Sequence, residues 1–335
     1  MTRLTQLFHP VHGRRIALVS EPELTLLHAF ESLYQLAWTA IHEGVTVGKL
    51  VQDSLSSESL SYDSIHAGQA DWQLLPAFDH PDYPERCLLS GTGLTHLSSA
   101  KNRQAMHEAA QSDSMTDSMR MYQLGEQGGK PAAGQVGAQP EWFFKGTGHL
   151  LRGHRKALEV PDYAHDGGEE AEIAGAYLID ETRQPWRVGV CPANEFSDHV
   201  LEKQNYLYLA PSKLRMAAIG PELTIGADLT AVSGTVQINR AGSTVWEQPI
   251  QSGESHMAHS LANLEHHHFK YAHHRIPGQV HIHFFGADAF SFGAGISLQD
   301  GDWMEVKWKG LGRKLSNPVL LPPGPENWQG VRELS

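Results

Sequence analysis

The stretch HDGGEEAEIAGAYLID, residues 165–180, constrains this chain more than any other. Its second half is an unbroken apolar run of strand length, the pattern of a strand buried on both faces. Its first half sets Glu169, Glu170 and Glu172 at the entrance to that strand. Residues two apart on a strand face the same way, so Glu170 and Glu172 share a face with α-carbons roughly 7 Å apart. Two carboxylates on one buried face repel strongly unless a cation neutralises them. Hard oxygen donors select Mg2+, Ca2+ or Mn2+ over zinc. For a bare E-x-E pair a solvated edge strand is the commoner case; the apolar continuation argues for burial.

The rest of the chain narrows the setting. Its 335 residues exceed one average domain, and 32 glycines with 40% hydrophobic residues indicate a turn-rich globular protein. A formal charge of −12 argues against nucleic acid and anionic membranes as partners. Cys87 and Cys191 are the only cysteines, too few for a disulfide framework and suited to a reducing cytoplasm. The opening MTRLTQLFHPVHGRR lacks the apolar core of a signal peptide. LTLLHAFESLYQLAWTAI carries His28, Glu31 and Gln35, so it is not a membrane span.

Three regions are expected. Residues 1–124 read as a small α/β domain: a strand at RRIALV, a helix from Glu23 to about Gly44, strands at WQLLPAF and CLLSGTGLTHL, and methionine-rich helix over 101–122. Residues 125–140, GEQGGKPAAGQVGAQP, form a Gly/Pro-rich loop or lid. From 141 to 335 short apolar strands alternate with turns, as in a sandwich or roll.

A second acidic group follows the first by one strand: VCPANEFSDHV carries Asn194, Glu195 and Asp198 in a turn. Further on stand SKLRMAAIGP (212–221) and LQDGDWMEVKWKGLGRKLSNPV (298–319). These pieces, in the order EAEIA, NEFSD, SKLR…GP and G-D…G-x-G-x-L-x-N-P-V, resemble the fumarylacetoacetate hydrolase family over roughly residues 140–320. The resemblance implies an α+β fold whose catalytic domain is a mixed β-roll or sandwich, preceded by a smaller N-terminal α/β domain, in a homodimer. It implies that Glu170, Glu172 and Glu195 hold Mg2+ or a similar ion. Two features depart from the family pattern. The turn acid is Glu195 where Asp is usual, and FFGADAFSFG (284–293) replaces the usual T-G-T-P.

SGTGLTHLSSAKNRQAMH and PEWFFKGTG further resemble a branch of that family found with sugar-acid catabolism, which includes dehydratases of 2-keto-3-deoxy-pentonates. The expected substrate is then a 2-keto acid and the expected activity that of a lyase, with Lys213 and His96 transferring protons and Lys145, Gly286 and Asp288 contacting substrate. Acylpyruvate-type carbon–carbon hydrolysis is the alternative within enzymes, and a sugar-acid-binding module the alternative outside them.

Histidines offer a rival metal site. LEHHHFKYAHHRIPGQVHIHFFG places His281 and His283 on one strand face, as in cupins, but no later histidine completes such a set. The cluster is expected at the surface or an interface around a helix, with His281 and His283 as packing or interface residues. GEQGGKPAAG lacks the P-loop spacing, and no G-x-S-x-G elbow occurs.

Overall fold

The structure, a computed structural model, describes residues 1–108 and 116–334. It is α+β and mostly sheet. Ten strands run side by side in the order 55–61, 23–27, 13–20, 2–9, 223–225, 185–194, 171–179, 280–284, 87–91, 143–147, with short strands attached at the margins. A second sheet orders 243–252, 232–240, 303–308, 315–320 and 158–159.

The centre of the large sheet is Ala171–Ile179, buried at every one of its nine positions. Small residues allow this: a Cβ at Gly175 would lie 2.6 Å from the Tyr177 ring and 2.8 Å from Phe285. One side of the sheet packs Ala174, Ala176, Leu178 and Ile282 against Leu33, Leu36 and Ala37 of the helix Leu33–Glu43. Ile173, Val190 and Phe285 pack instead against Val236, Ile250 and Trp308 of the second sheet.

Strands from before and after residues 125–140 lie side by side. Thr2–His9 pairs with Leu223–Ile225, and Cys87–Gly91 pairs in parallel with Val280–Phe284. Of the expected loop, 125–128 is the last turn of the helix Asp117–Gly128. The rest is docked on the helix Leu261–Phe269, where Asn263 accepts from Gly137 N at 3.0 Å and donates to Ala138 O at 2.8 Å.

Other boundaries differ from the sequence expectation. Glu23–Leu27 is a strand, paired with Gly13–Ser20, and the helix begins only at Leu33, capped by Ser32 Oγ. The short run ELTLL fits either period, and pairing with a ready neighbour decides it. WQLLPAF contributes a strand of two residues, Gln73–Leu74. The strand in CLLSGTGLTHL stops at Gly91, and a helix starts at Leu97. Of the expected 101–122 helix, the described residues lie in Leu97–Glu108 and Asp117–Gly128, the latter capped by Thr116, and 109–115 lie outside the described residues. Among the described residues no helix is long and apolar enough to cross a membrane.

His281 and His283 are packing residues, and the surface placement of the cluster needs correction for His267, His268 and His274, which are buried too. His281 and His283 are 0% and 1% exposed, covered by the 261–269 helix. Trp142 Nε1, which can only donate, lies 3.2 Å from His268 Nδ1. His268 Nε2 must then donate to His281 Nδ1 at 2.9 Å, and His281 Nε2 to Gln279 Oε1 at 3.3 Å. His283 Nδ1 meets Ser90 Oγ at 3.2 Å, with the His268 ring tilted against it 4.5 Å away. Burial, and then the neighbouring His274, pushes the His283 pKa down to about 3. The ring is neutral in the fold, while in the unfolded chain it takes a proton as pH falls through about 6.5. Stability contributed by this neutrality is therefore present above pH 6.5 and lost progressively below it. Urea denaturation should show His283 alone costing about 1 kcal/mol between pH 7 and pH 5.5. His283→Gln should flatten the pH dependence by that share; an unchanged slope would contradict the assignment.

Candidate metal centre

Antiparallel register assembles the glutamates. Ala171 lies opposite Asn194 and Glu172 opposite Ala193, so the start of one strand adjoins the end of the other. Glu195 N donates to Glu170 O at 2.9 Å, locking the NEFSD turn onto the strand entrance. As a result Glu170, Glu172 and Glu195 each present a carboxylate oxygen, all within 4.8 Å of one another and all buried. Among the described residues no other His, Cys, Asp or Glu side chains gather in this way. The expected trio is brought together.

Two buried lysines meet the cluster. Lys213 Nζ contacts Glu170 Oε1, lies 2.7 Å from Glu195 Oε2 and 2.9 Å from Ser197 Oγ, and sits 5.0 Å from the Phe143 ring centre. Lys145 Nζ donates to Glu195 Oε1, Phe196 O and Lys213 O. An ammonium has three donors, and Lys145 spends all three on protein acceptors. In place of the expected contact with substrate, Lys145 clamps the turn to the backbone of Lys213. Burial lowers its pKa to about 8, with the Glu195 charge opposing. The Lys213 ammonium is held well above its ordinary range, because Glu170 and Glu195 outweigh burial. The ammonium is thus favoured over the free amine at Lys213.

The charge balance around the trio is uneven. Burial raises the Glu170 pKa, but Lys213 and His199 outweigh it and leave the carboxylate well below the usual range. Glu172 goes the other way, pushed well up by burial and then by the charges of Glu195 and Glu170. Among the described residues it has no ion-pair partner; its Oε2 accepts only from Gly286 N, at 2.6 Å. Three carboxylate donors in one dry pocket, one of them without a cation, fit a hard divalent ion.

Gly286 ties the 286–294 loop to this centre. Its φ of 98° is one that side chains disfavour, and a Cβ there would lie 2.0 Å from Thr95 Oγ1. Asp288 is half-buried, and its Oδ2 accepts from Gln251 N at 2.9 Å. His96 is held apart from the carboxylates. Its Nδ1 meets Thr95 Oγ1 at 2.9 Å and its Nε2 meets Ser252 Oγ at 3.2 Å, so both ring nitrogens are occupied. Burial lowers its pKa to about 4. That geometry makes it a neutral support behind the Gly286 loop.

Sequence reasoning missed several groups. Glu169, singled out only as a neighbour, takes hydrogen bonds from Ser291 N at 2.6 Å and Ser291 Oγ at 2.7 Å, fastening the same loop. His199 lies 3.1 Å from Glu170 Oε1. Arg103 bridges Glu141 at 2.8 Å and Glu202 at 2.6 Å, both carboxylates buried. The only signal available was position: His199 follows the NEFSD turn directly. Asp198 of that turn serves structure, accepting from Leu201 N at 2.8 Å and pairing with Arg215 at 3.0 Å.

Glu172→Gln provides a check on the charge balance. Without divalent ion the variant should melt at or above the parent temperature, since a buried carboxyl whose ionisation is disfavoured gives way to a neutral amide. Its stabilisation by Mg2+ or Mn2+ should fall with a roughly tenfold loss of affinity, read by thermal shift and calorimetry. Equal stabilisation of both proteins would remove Glu172 from the ligand set.

No family model matches the chain, and no similar sequence was found among curated proteins. Solved structures do match. A hexagonal crystal form of 2-keto-3-deoxyarabinonate dehydratase aligns with a TM-score of 0.70 at 18% identity, covering 96% of this chain and 100% of that one. A 2-keto-3-deoxy-D-arabinonate dehydratase complexed with magnesium and 2,5-dioxopentanoate aligns at 0.69 and 19% identity, covering 96% and 99%. A 5-carboxymethyl-2-hydroxymuconate delta-isomerase from Mycobacterium smegmatis aligns at 0.58 and 14% identity, covering 96% and 100%. With its motifs in order and its sheets superimposing over nearly the whole chain, this protein has the fold of the fumarylacetoacetate hydrolase family.

Proposed function

We propose that the chain is a lyase that removes water from a 2-keto-3-deoxy-pentonate to give 2-ketoglutarate semialdehyde. The observation that carries this reading is the buried trio Glu170, Glu172 and Glu195, short of positive charge at Glu172 and touched by the Lys213 ammonium. It is supported by the shared fold of a dehydratase whose structure holds magnesium and 2,5-dioxopentanoate, another name for the same semialdehyde.

In this reading the three glutamates hold Mg2+, or Mn2+ or Ca2+. When bound, the ion offsets the negative charge that a 2-keto acid gains at its keto oxygen as C3 loses a proton. Lys213, as the free amine, takes the proton from C3 and, as the ammonium, returns it to the departing 4-hydroxyl, which leaves as water. The free amine that results then takes a proton from C5 as the unsaturated product rearranges to the aldehyde. Lys145 keeps the Lys213 backbone and the Glu195 carboxylate in place. Asp288 Oδ1, its partner oxygen being spent on Gln251, accepts from a sugar hydroxyl.

A racemic 2-keto-3-deoxy-pentonate and, separately, an acylpyruvate should be incubated with enzyme and Mg2+ in deuterated water. One enantiomer of the first should yield semialdehyde with deuterium at C3, and the second should release little pyruvate. Rapid pyruvate release without semialdehyde would assign the chain to carbon–carbon hydrolysis instead. Lys213→Met should lose roughly a hundredfold or more in turnover, the usual scale for a general acid.

A further inference from the structure

We infer that His199 is a positioning residue that aims Glu170 and couples it to the 286–294 loop, an inference that rests on the metal-dependent reading above. His199 opens the helix His199–Gln204, which Asp198 caps, and is 2% exposed. Its ring is held by packing on its faces. Phe290 stacks on it at 4.7 Å and 21°, and Phe292 lies tilted at 5.3 Å.

The ring edge is fixed as well. A Cβ at Gly168 would fall 2.2 Å from His199 Nδ1 and 2.6 Å from its Cε1, so the imidazole occupies the space where a side chain at 168 would go. Gly168 cannot yield, because its backbone exchanges two 2.9 Å hydrogen bonds with Ser197 in the metal-site turn. Among the described residues Nδ1 has no hydrogen-bond partner. The one polar contact of this buried ring is therefore Nε2 to Glu170 Oε1, at 3.1 Å.

That contact fixes a ligand. Glu170 Oε1 receives both His199 and Lys213, and two donors on one oxygen restrict rotation of the carboxylate. The aromatic residues that grip His199 belong to the loop whose Gly286 binds Glu172 and whose Ser291 binds Glu169. Three acidic positions of the strand entrance are thus tied to one loop, two directly and Glu170 through His199. Placement of the loop and placement of the ligand become one equilibrium.

Manganese binding, measured by electron paramagnetic resonance and calorimetry on the full chain, tests this. His199→Phe keeps an aromatic ring between Phe290 and Phe292 but has no N–H for Glu170; affinity should fall roughly 10- to 100-fold, the usual cost of losing a group that orients a ligand. His199→Gln restores an N–H at the Nε2 position and should recover affinity to within about threefold of the parent. Gly168→Ala, which displaces the ring from the other side, should weaken binding as His199→Phe does. The ion-free His199→Phe protein should melt near the parent temperature. Unchanged affinity in His199→Phe, or no recovery in His199→Gln, would overturn the assignment. A parent protein that binds no manganese would overturn the metal-dependent reading itself.

Discussion

Everything in this molecule that concerns chemistry follows from placing like charges in a dry place. Glu169, Glu170, Glu172 and Glu195 are all at or below 8% exposure, and an isolated carboxylate in such surroundings is strongly disfavoured. The surrounding structure is arranged to make their burial tolerable. Lys213 and Lys145 supply two positive charges, and Ser197, Ser291 and Gly286 supply hydrogen-bond donors. Glu169 is held by Ser291 donors alone, and Glu172 has the least support, its only partner among the described residues being a backbone amide. A buried carboxylate trio short of positive charge fits a hard divalent ion.

The same constraint explains the distribution of support. Lys145 spends its three donors on Glu195, Phe196 and Lys213, so the turn acid and the second lysine form one rigid body. Outside it, Arg103 satisfies Glu141 and Glu202, joining the N-terminal helix Leu97–Glu108 to the segment that leads into Phe143 and Lys145. Removing one partner from such a network leaves a buried charge unpaired, at a cost of about 3–5 kcal/mol, which ties the fold of the first hundred residues to the integrity of the centre. The histidine stack follows a different logic. The chain Trp142, His268, His281, Gln279 sets the tautomers of two neutral rings in one direction, and His283 leans on Ser90. The stack stabilises the packing of the 261–269 helix.

Much of the centre was legible in the sequence because it is built from local periodicities. A strand alternates with period two, so Glu170 and Glu172 had to share a face, and an apolar run of strand length had to be buried. The NEFSD turn was set beside them by the family resemblance alone, and the antiparallel register, with Ala171 opposite Asn194, supplies the physical reason. Less legible were the roles of single polar side chains. Lys145 and His96 carry the right chemistry for substrate or proton transfer, yet Lys145 is fully committed to protein acceptors and His96 to two hydroxyls.

The sequence by itself determined a β-rich chain with a carboxylate-bearing buried strand, an acidic turn one strand later and a lysine beyond it. Those features depend on residue type and short spacing. Only the tertiary structure decided which donors and acceptors are consumed, that ELTLL is strand, that the histidines face inward, and that His199 lies between Phe290 and Phe292 against Glu170. Each of these depends on partners distant along the chain, such as Val280–Phe284 beside Cys87–Gly91 or Ser291 against Glu169. Hydrogen-bond capacity is finite and burial is collective, so the role left to a polar side chain is settled by whichever neighbours reach it once the sheets have closed.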